Sequence, residues 1–93
     1  MNLKTLFSKK TNYASKYIGD ELILVPIKNN IAEMKNLFAL NEVGAYIWDN
    51  IDDKNTIENI VDLVMKEFET DFETANKDTL DFLEQLNKFT SEE

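Results

Sequence analysis

Apolar side chains recur along this chain in two rhythms, and the change between them falls near Asn41. Upstream the rhythm is that of strands. From Tyr13 to Ile18, the residues Tyr13, Ser15 and Tyr17 alternate with Ala14, Lys16 and Ile18, and Gly19-Asp20 supplies a turn signal. Glu21-Leu22-Ile23-Leu24-Val25-Pro26-Ile27 follows, apolar on both faces, and predicts the clearest strand of the sequence. Pro26 lacks a backbone donor, so the far end of that strand is expected at an edge or outside the ladder. Lys28-Asn29-Asn30 reads as a turn, and the segment to Lys35 as an extended loop or wing. A third strand is expected from Asn36 to Leu40, with Met34 as an earlier possible start.

Downstream of Asn41 the period becomes helical. Val43, Ile47, Trp48 and Ile51 recur at helical spacing, predicting a helix from about Glu42 to Ile51. Asn41 is placed to cap it, because an Asn side-chain oxygen accepts from an orphan N–H of the first turn. Asp52-Asp53-Lys54-Asn55 breaks the helix. The next runs from about Ile57 to Phe68, capped by Asn55 or Thr56; Asn55 and Glu58 have capping-box spacing. Thr70 and Glu73 have it again, opening a last helix from about Asp71 to Lys88.

A small sheet followed by helices on short connections predicts an α+β, winged-helix-like domain, with a three-stranded antiparallel sheet followed by three helices. Residues 1–12, polar with isolated Leu3, Leu6 and Phe7, are expected to form a loose lead-in partly docked by those apolar side chains, 13–89 the single domain, and 90–93 a frayed tail.

Composition narrows the chemistry. The 93 residues include no Cys and no His, which removes thiol nucleophiles, thiolate metal sites and the usual neutral-pH base. Asp52-Asp53 and Asp78/Asp81 are carboxylate pairs, but catalysis needs one desolvated member, and these sit at loop and outer-helix positions. Gly19 and Gly44 are the only glycines, too few for a phosphate-cradling loop. The reading is a non-enzyme without a cofactor or metal. No apolar run nears the roughly 20 residues of a membrane span, and the N-terminus lacks a signal peptide's apolar stretch and cleavage site. A cytoplasmic protein without membrane attachment is expected.

The net charge of −8 is uneven: residues 1–40 carry +3 and residues 41–93 carry −11. Such a helical half repels phosphate backbones, and with no Arg the commonest guanine contact is missing. Nucleic acid is not expected as a partner. The charge fits either a solvated helix surface or preference for a basic partner.

Two features suggest a peptide partner. On a helical wheel Phe89, Phe82, Ala75, Leu86, Thr79, Phe72, Leu83 and Asn76 follow in order with Leu80 at the far margin, an arc of about 180° at ~100° per residue. An amphipathic helix needs only somewhat more than ~100°, so one margin is available to line a groove, unless the whole arc is sandwiched in the core. The strand over 36–40 carries no charge and no Pro. An unguarded edge of this kind is a hazard unless it is used, and its productive use is addition of an extended peptide as a further strand.

These residues also carry a family resemblance. Leu40-Asn41-Glu42-Val43-Gly44-Ala45-Tyr46-Ile47-Trp48 resembles the L-N-x-T/V-G-A-x-I-W signature of the PqqD family, also called RiPP precursor recognition elements. Thr56-Ile57-Glu58-Asn59-Ile60 is similar to its T-x-E-E-I helix opening, Phe68 to Ala75 to its Y-x-V-D-x-E-x-A link, and Asp78 to Leu86 to its D-V-x-x-F-L-x-x-L helix. The resemblance spans about Tyr13 to Phe89. The chain departs from it at Lys88-Phe89-Thr90-Ser91, where the family has a Gly followed by aliphatic residues, and in the long Lys28–Lys35 loop.

The resemblance implies a non-catalytic peptide chaperone. It would bind the leader segment of a ribosomally made precursor along the third strand, in the cleft against the last helix. It would then present the precursor to a modifying enzyme, often a radical SAM protein carrying its own iron–sulfur clusters. Carried onto this chain, the peptide-binding residues would be Asn36, Leu37, Phe38 and Ala39 of the strand and Asn76, Leu80 and Leu83 of the helix, with Thr79 beneath. A monomer or weak dimer is expected; the alternatives are a winged-helix nucleic-acid binder and a homodimeric interaction module.

Overall fold

The structure, a computed structural model, describes residues 3–27 and 37–91. In chain order the elements are α1 (Leu3–Lys10), β1 (Tyr13–Ile18), β2 (Glu21–Pro26), β3 (Phe38–Leu40), α2 (Glu42–Asp49), α3 (Ile57–Phe68) and α4 (Phe72–Ser91). The strands form one antiparallel sheet in the order β1-β2-β3. The α+β architecture read from the periodicity is the one observed, with one helix more than expected.

β1 and β2 close on Gly19-Asp20, with Ile18 opposite Glu21. Gly19 has φ of +64°, the positive φ that a two-residue hairpin of the II′ type reserves for glycine at its first position. β3 pairs with the first half of β2: Leu22 faces Leu40, Ile23 faces Ala39 and Leu24 faces Phe38. That pairing stops two residues short of Pro26, where a donor is missing.

The sheet buries one face. Tyr13, Leu22, Leu24 and Leu40 point into the core, where they meet Ile47 and Trp48 of α2, Ile60, Val61 and Val64 of α3, and Ala75, Leu83 and Leu86 of α4. A three-stranded sheet needs such a helical cover to be stable.

The N-terminal segment is helical rather than a loose lead-in, and docks through two of its apolar side chains. Residues 3–10 form α1, with Leu3 and Leu6 buried one turn apart, and α1 lies against α4. It is also tied down by Lys10. Its Nζ donates to the carbonyls of Trp48 (2.7 Å) and Ile51 (3.1 Å) and sits 5.0 Å from the Trp48 ring centroid. α2 has no basic residue in its own last turn, so a cation from α1 meets the negative end of its dipole. Burial pushes the Lys10 ammonium below its ordinary pKa, opposed by Asp49 and Asp52.

Helix ends differ in detail from the sequence reading. α2 ends at Asp49, and Ile51 is buried beyond it. The box at α3 is Thr56 with Asn59, each side chain accepting from the other's backbone N–H at 3.1 Å. Asn55 instead donates its side-chain amide to the carbonyl of Asn50. At α4 the cap is Asp71, whose Oδ1 accepts from Thr74 N at 2.8 Å, where Thr70 with Glu73 was expected. α4 continues into the expected tail as far as Ser91, with Thr90 buried; residues 92–93 lie outside the described residues. The cause is Phe89, which packs on Tyr13 (5.4 Å) and Phe38 (4.9 Å) and carries the helix past Lys88.

Candidate functional site

Asn41 joins sheet to helix. Its backbone is extended (φ −78°, ψ −175°), continuing β3, while its Oδ1 accepts from Gly44 N at 2.8 Å and its carbonyl from Ala45 N at 2.8 Å. One residue therefore ends the strand and fixes the first turn of α2. Glu42 follows at the positive end of the helix dipole.

Gly44 sits in that first turn, and the Phe82 ring of α4 lies directly on it. Phe82 is also stacked on Phe38, with centroids 6.3 Å apart and planes 6° from parallel. The three residues bring α4 alongside β3 and leave a groove of about 340 Å³ between them. Phe38, Ala39 and Leu40 form its strand wall; Asn41, Val43 and Gly44 close it at the joint; Asp78, Asp81, Phe82 and Gln85 form its α4 wall, and Glu21 reaches it from β2.

β3 has β2 on one side and no strand on the other among the described residues. In an antiparallel strand successive residues turn their N–H and C=O to opposite edges. Some of the peptide groups of Phe38, Ala39 and Leu40 therefore face the open edge. Phe38 and Leu40 turn their side chains inward, and Ala39 turns outward. The open edge thus offers both backbone hydrogen bonds and an apolar wall.

Of the residues expected to bind peptide, the structure brings Phe38 and Ala39 to this groove. Leu37 stands just before β3 and is exposed, and Asn36 lies outside the described residues. The helix side differs from the expectation. Thr79 and Leu83 are fully enclosed in the core. Asn76 and Leu80 lie on the other margin of α4, Leu80 about 160° around the helix from Phe82 at ~100° per residue. The groove lies on the margin of Phe82, whose ring packs over Gly44. Reading the wheel for apolar residues missed Asp78, Asp81 and Gln85, which are polar. The available signal was a glycine in the first turn of the helix after the strand, since a missing side chain marks close approach by another element.

Among the described residues, the charge lining the groove is of one sign. Glu21, Asp78 and Asp81 are its charged lining residues, all acidic. Asp81 accepts from Lys77 Nζ at 3.0 Å across one helical turn, and this bond, with Asp81's charge, raises the Lys77 pKa. Among the described residues no cluster of acidic side chains is arranged to hold a metal ion.

Residues 21–88 match the family described as coenzyme PQQ synthesis protein D (PqqD). The chain belongs to the PqqD family. The match runs from the start of β2 into the last turns of α4, and so contains the whole groove; α1 and β1 precede it. No curated protein matches the chain. Among solved structures, TbiB1 in complex with the TbiA(beta) leader peptide is similar at 30% identity, with a TM-score of 0.64, covering 83% of this chain and 84% of that one. In this PqqD-family chain the Leu40–Trp48 signature is the joint that carries the groove: Asn41 caps, Gly44 admits Phe82, and Trp48 is buried in the core.

Proposed function

We propose that this protein is a non-catalytic chaperone that binds the leader segment of a ribosomally synthesised precursor peptide. The leader adds as a strand along the free edge of β3, in the groove against α4, and the domain presents the precursor to a modifying enzyme. The observation that carries this reading is the open β3 edge facing the Phe38–Phe82 wall, in a chain of the PqqD family similar over most of its length to a protein in complex with a leader peptide. Strand addition draws affinity from main-chain bonds and selectivity from pockets for alternate side chains. The absence of His and Cys favours a binding rather than a catalytic role.

The peptide-contacting residues on this reading are Leu37, Phe38 and Ala39 on the strand side and Phe82, Asp78, Asp81 and Gln85 on α4. A radical SAM protein is the modifying enzyme that the family resemblance favours. The protein acts in the cytoplasm, where precursor peptides are made, as a monomer or weak dimer. Among the described residues no helix is long and apolar enough to cross a membrane.

The test is a titration of isotopically labelled protein with a synthetic leader, following backbone amides. Shifts concentrated at residues 37–41 and 78–85, and weakened by N-methylation of alternate leader residues, are the expected result. Shifts that avoid both segments sink the proposal.

A further inference from the structure

The groove carries two kinds of surface. Its floor is apolar, with the Phe38 and Phe82 rings and Val43, but its rim on α4 is Asp78 and Asp81, and Glu21 adds a third carboxylate from β2. Spacing of three residues puts Asp78 and Asp81 on one face of α4. A strand added to β3 turns every second side chain toward that face.

Resting on the leader-binding reading above, we infer that the segment seated in this groove is basic, with Lys or Arg among the alternate residues that face α4, opposite Asp78 and Asp81. Three observations select this occupant. An acidic segment would bring like charges together, and a wholly apolar one would strip water from the carboxylates without replacing it. Among the described residues Lys77 pairs with Asp81, an exposed pair one helical turn apart, with side chains 75% and 54% accessible. Such a pair holds weakly, so a peptide cation can replace or join it. Finally, residues 41–93 carry a net −11, a field that draws basic segments toward α4 before contact.

The experiment is a selection from a randomised library of extended peptides on the full chain, and in parallel on an Asp78→Asn/Asp81→Asn variant whose fold is checked by circular dichroism. Peptides recovered on the native chain should be enriched in Lys or Arg at alternate positions, and the enrichment should fall on the variant, although most of its acidic residues remain. For one recovered peptide, each Lys→Gln change should weaken binding by about two- to fivefold on the native chain and have little effect on the variant. Recovered peptides that shift the amides of residues 37–41 but show no basic enrichment, or the same enrichment on the variant, would overturn the charge inference and leave strand addition standing. Recovered peptides that shift neither those amides nor those of residues 78–85 would overturn both.

Discussion

A β-carbon at Gly44 would stand 3.1 Å from Cε1 and 3.2 Å from Cδ1 of Phe82. That distance is tighter than ordinary van der Waals contact, so the missing side chain of one helix defines where the ring of another can lie. In Gly44→Ala, the gain in helix propensity, at most about 1 kcal/mol, opposes the crowding. Phe82 is half-buried at a groove wall and can tilt toward the open space. We expect thermal stability to stay within about 1 kcal/mol of the native chain while leader affinity falls, because the displaced ring fills the groove. Thermal melts and calorimetric titration of the same variant check both halves.

The two margins of α4 are separable by mutation. Phe82→Ala removes the stacked partner of Phe38 and should weaken leader binding by about fivefold or more, a loss in the range of about 1–3 kcal/mol for an aromatic contact at an interface. Leu80, 42% exposed on the opposite margin, should tolerate Ala with little change in affinity. Equal losses for the two variants in a binding titration would remove the assignment of the Phe82 margin.

Thr79 is fully buried, and its Oγ1 has no hydrogen-bond partner among the described residues. A buried hydroxyl without a partner costs stability, so the near-isosteric Thr79→Val should stabilise the fold by about 1 kcal/mol. Because the side chain does not reach the groove, leader affinity should be unchanged. Denaturant unfolding measures the first effect and a titration the second; a loss of affinity would return Thr79 to the binding surface.

Two carboxylates tie acid stability to helix and loop geometry. The backbone N–H of Thr74, helped by its side chain, holds Asp71 below the usual carboxylate range, and the backbone N–H groups of Asn55 and Lys54 do the same for Asp52. A depressed folded-state pKa means that the unfolded chain binds more protons as pH falls. Both groups therefore contribute stability that is complete above the ordinary Asp value and is lost as pH drops through the folded one. Asp71→Asn, which keeps a capping oxygen, should flatten the acid limb of a stability-against-pH curve relative to the native chain; an unchanged limb would separate the cap from acid unfolding.

Much of this protein is written locally. The alternation over Tyr13–Ile18 and the helical period over Ile57–Phe68 gave those elements their observed bounds, because each burial pattern has one period that matches one backbone geometry. Asn41, the buried Trp48 and the uncharged β3 were legible for the same reason: capping, core volume and edge protection depend on a few adjacent residues. Cap identity was less legible where candidates adjoin. Thr56 with Asn59 and Asn55 with Glu58 have the same spacing, and only the observed turn through Asp52 and Asn55 decides between them.

What the tertiary structure alone decided are relations between distant segments. An eight-residue polar helix such as α1 is not stable by itself. It exists because Leu3 and Leu6 find the core and Lys10 finds the carbonyl end of α2. Likewise the apolar arc of α4 is wide enough to bury either margin. Its rotation against β3 is fixed by the fit of Phe82 over Gly44 and against Phe38, a contact between residues about 40 positions apart that no local period records. That rotation is also what puts Asp78 and Asp81, rather than Asn76 and Leu80, beside the open strand.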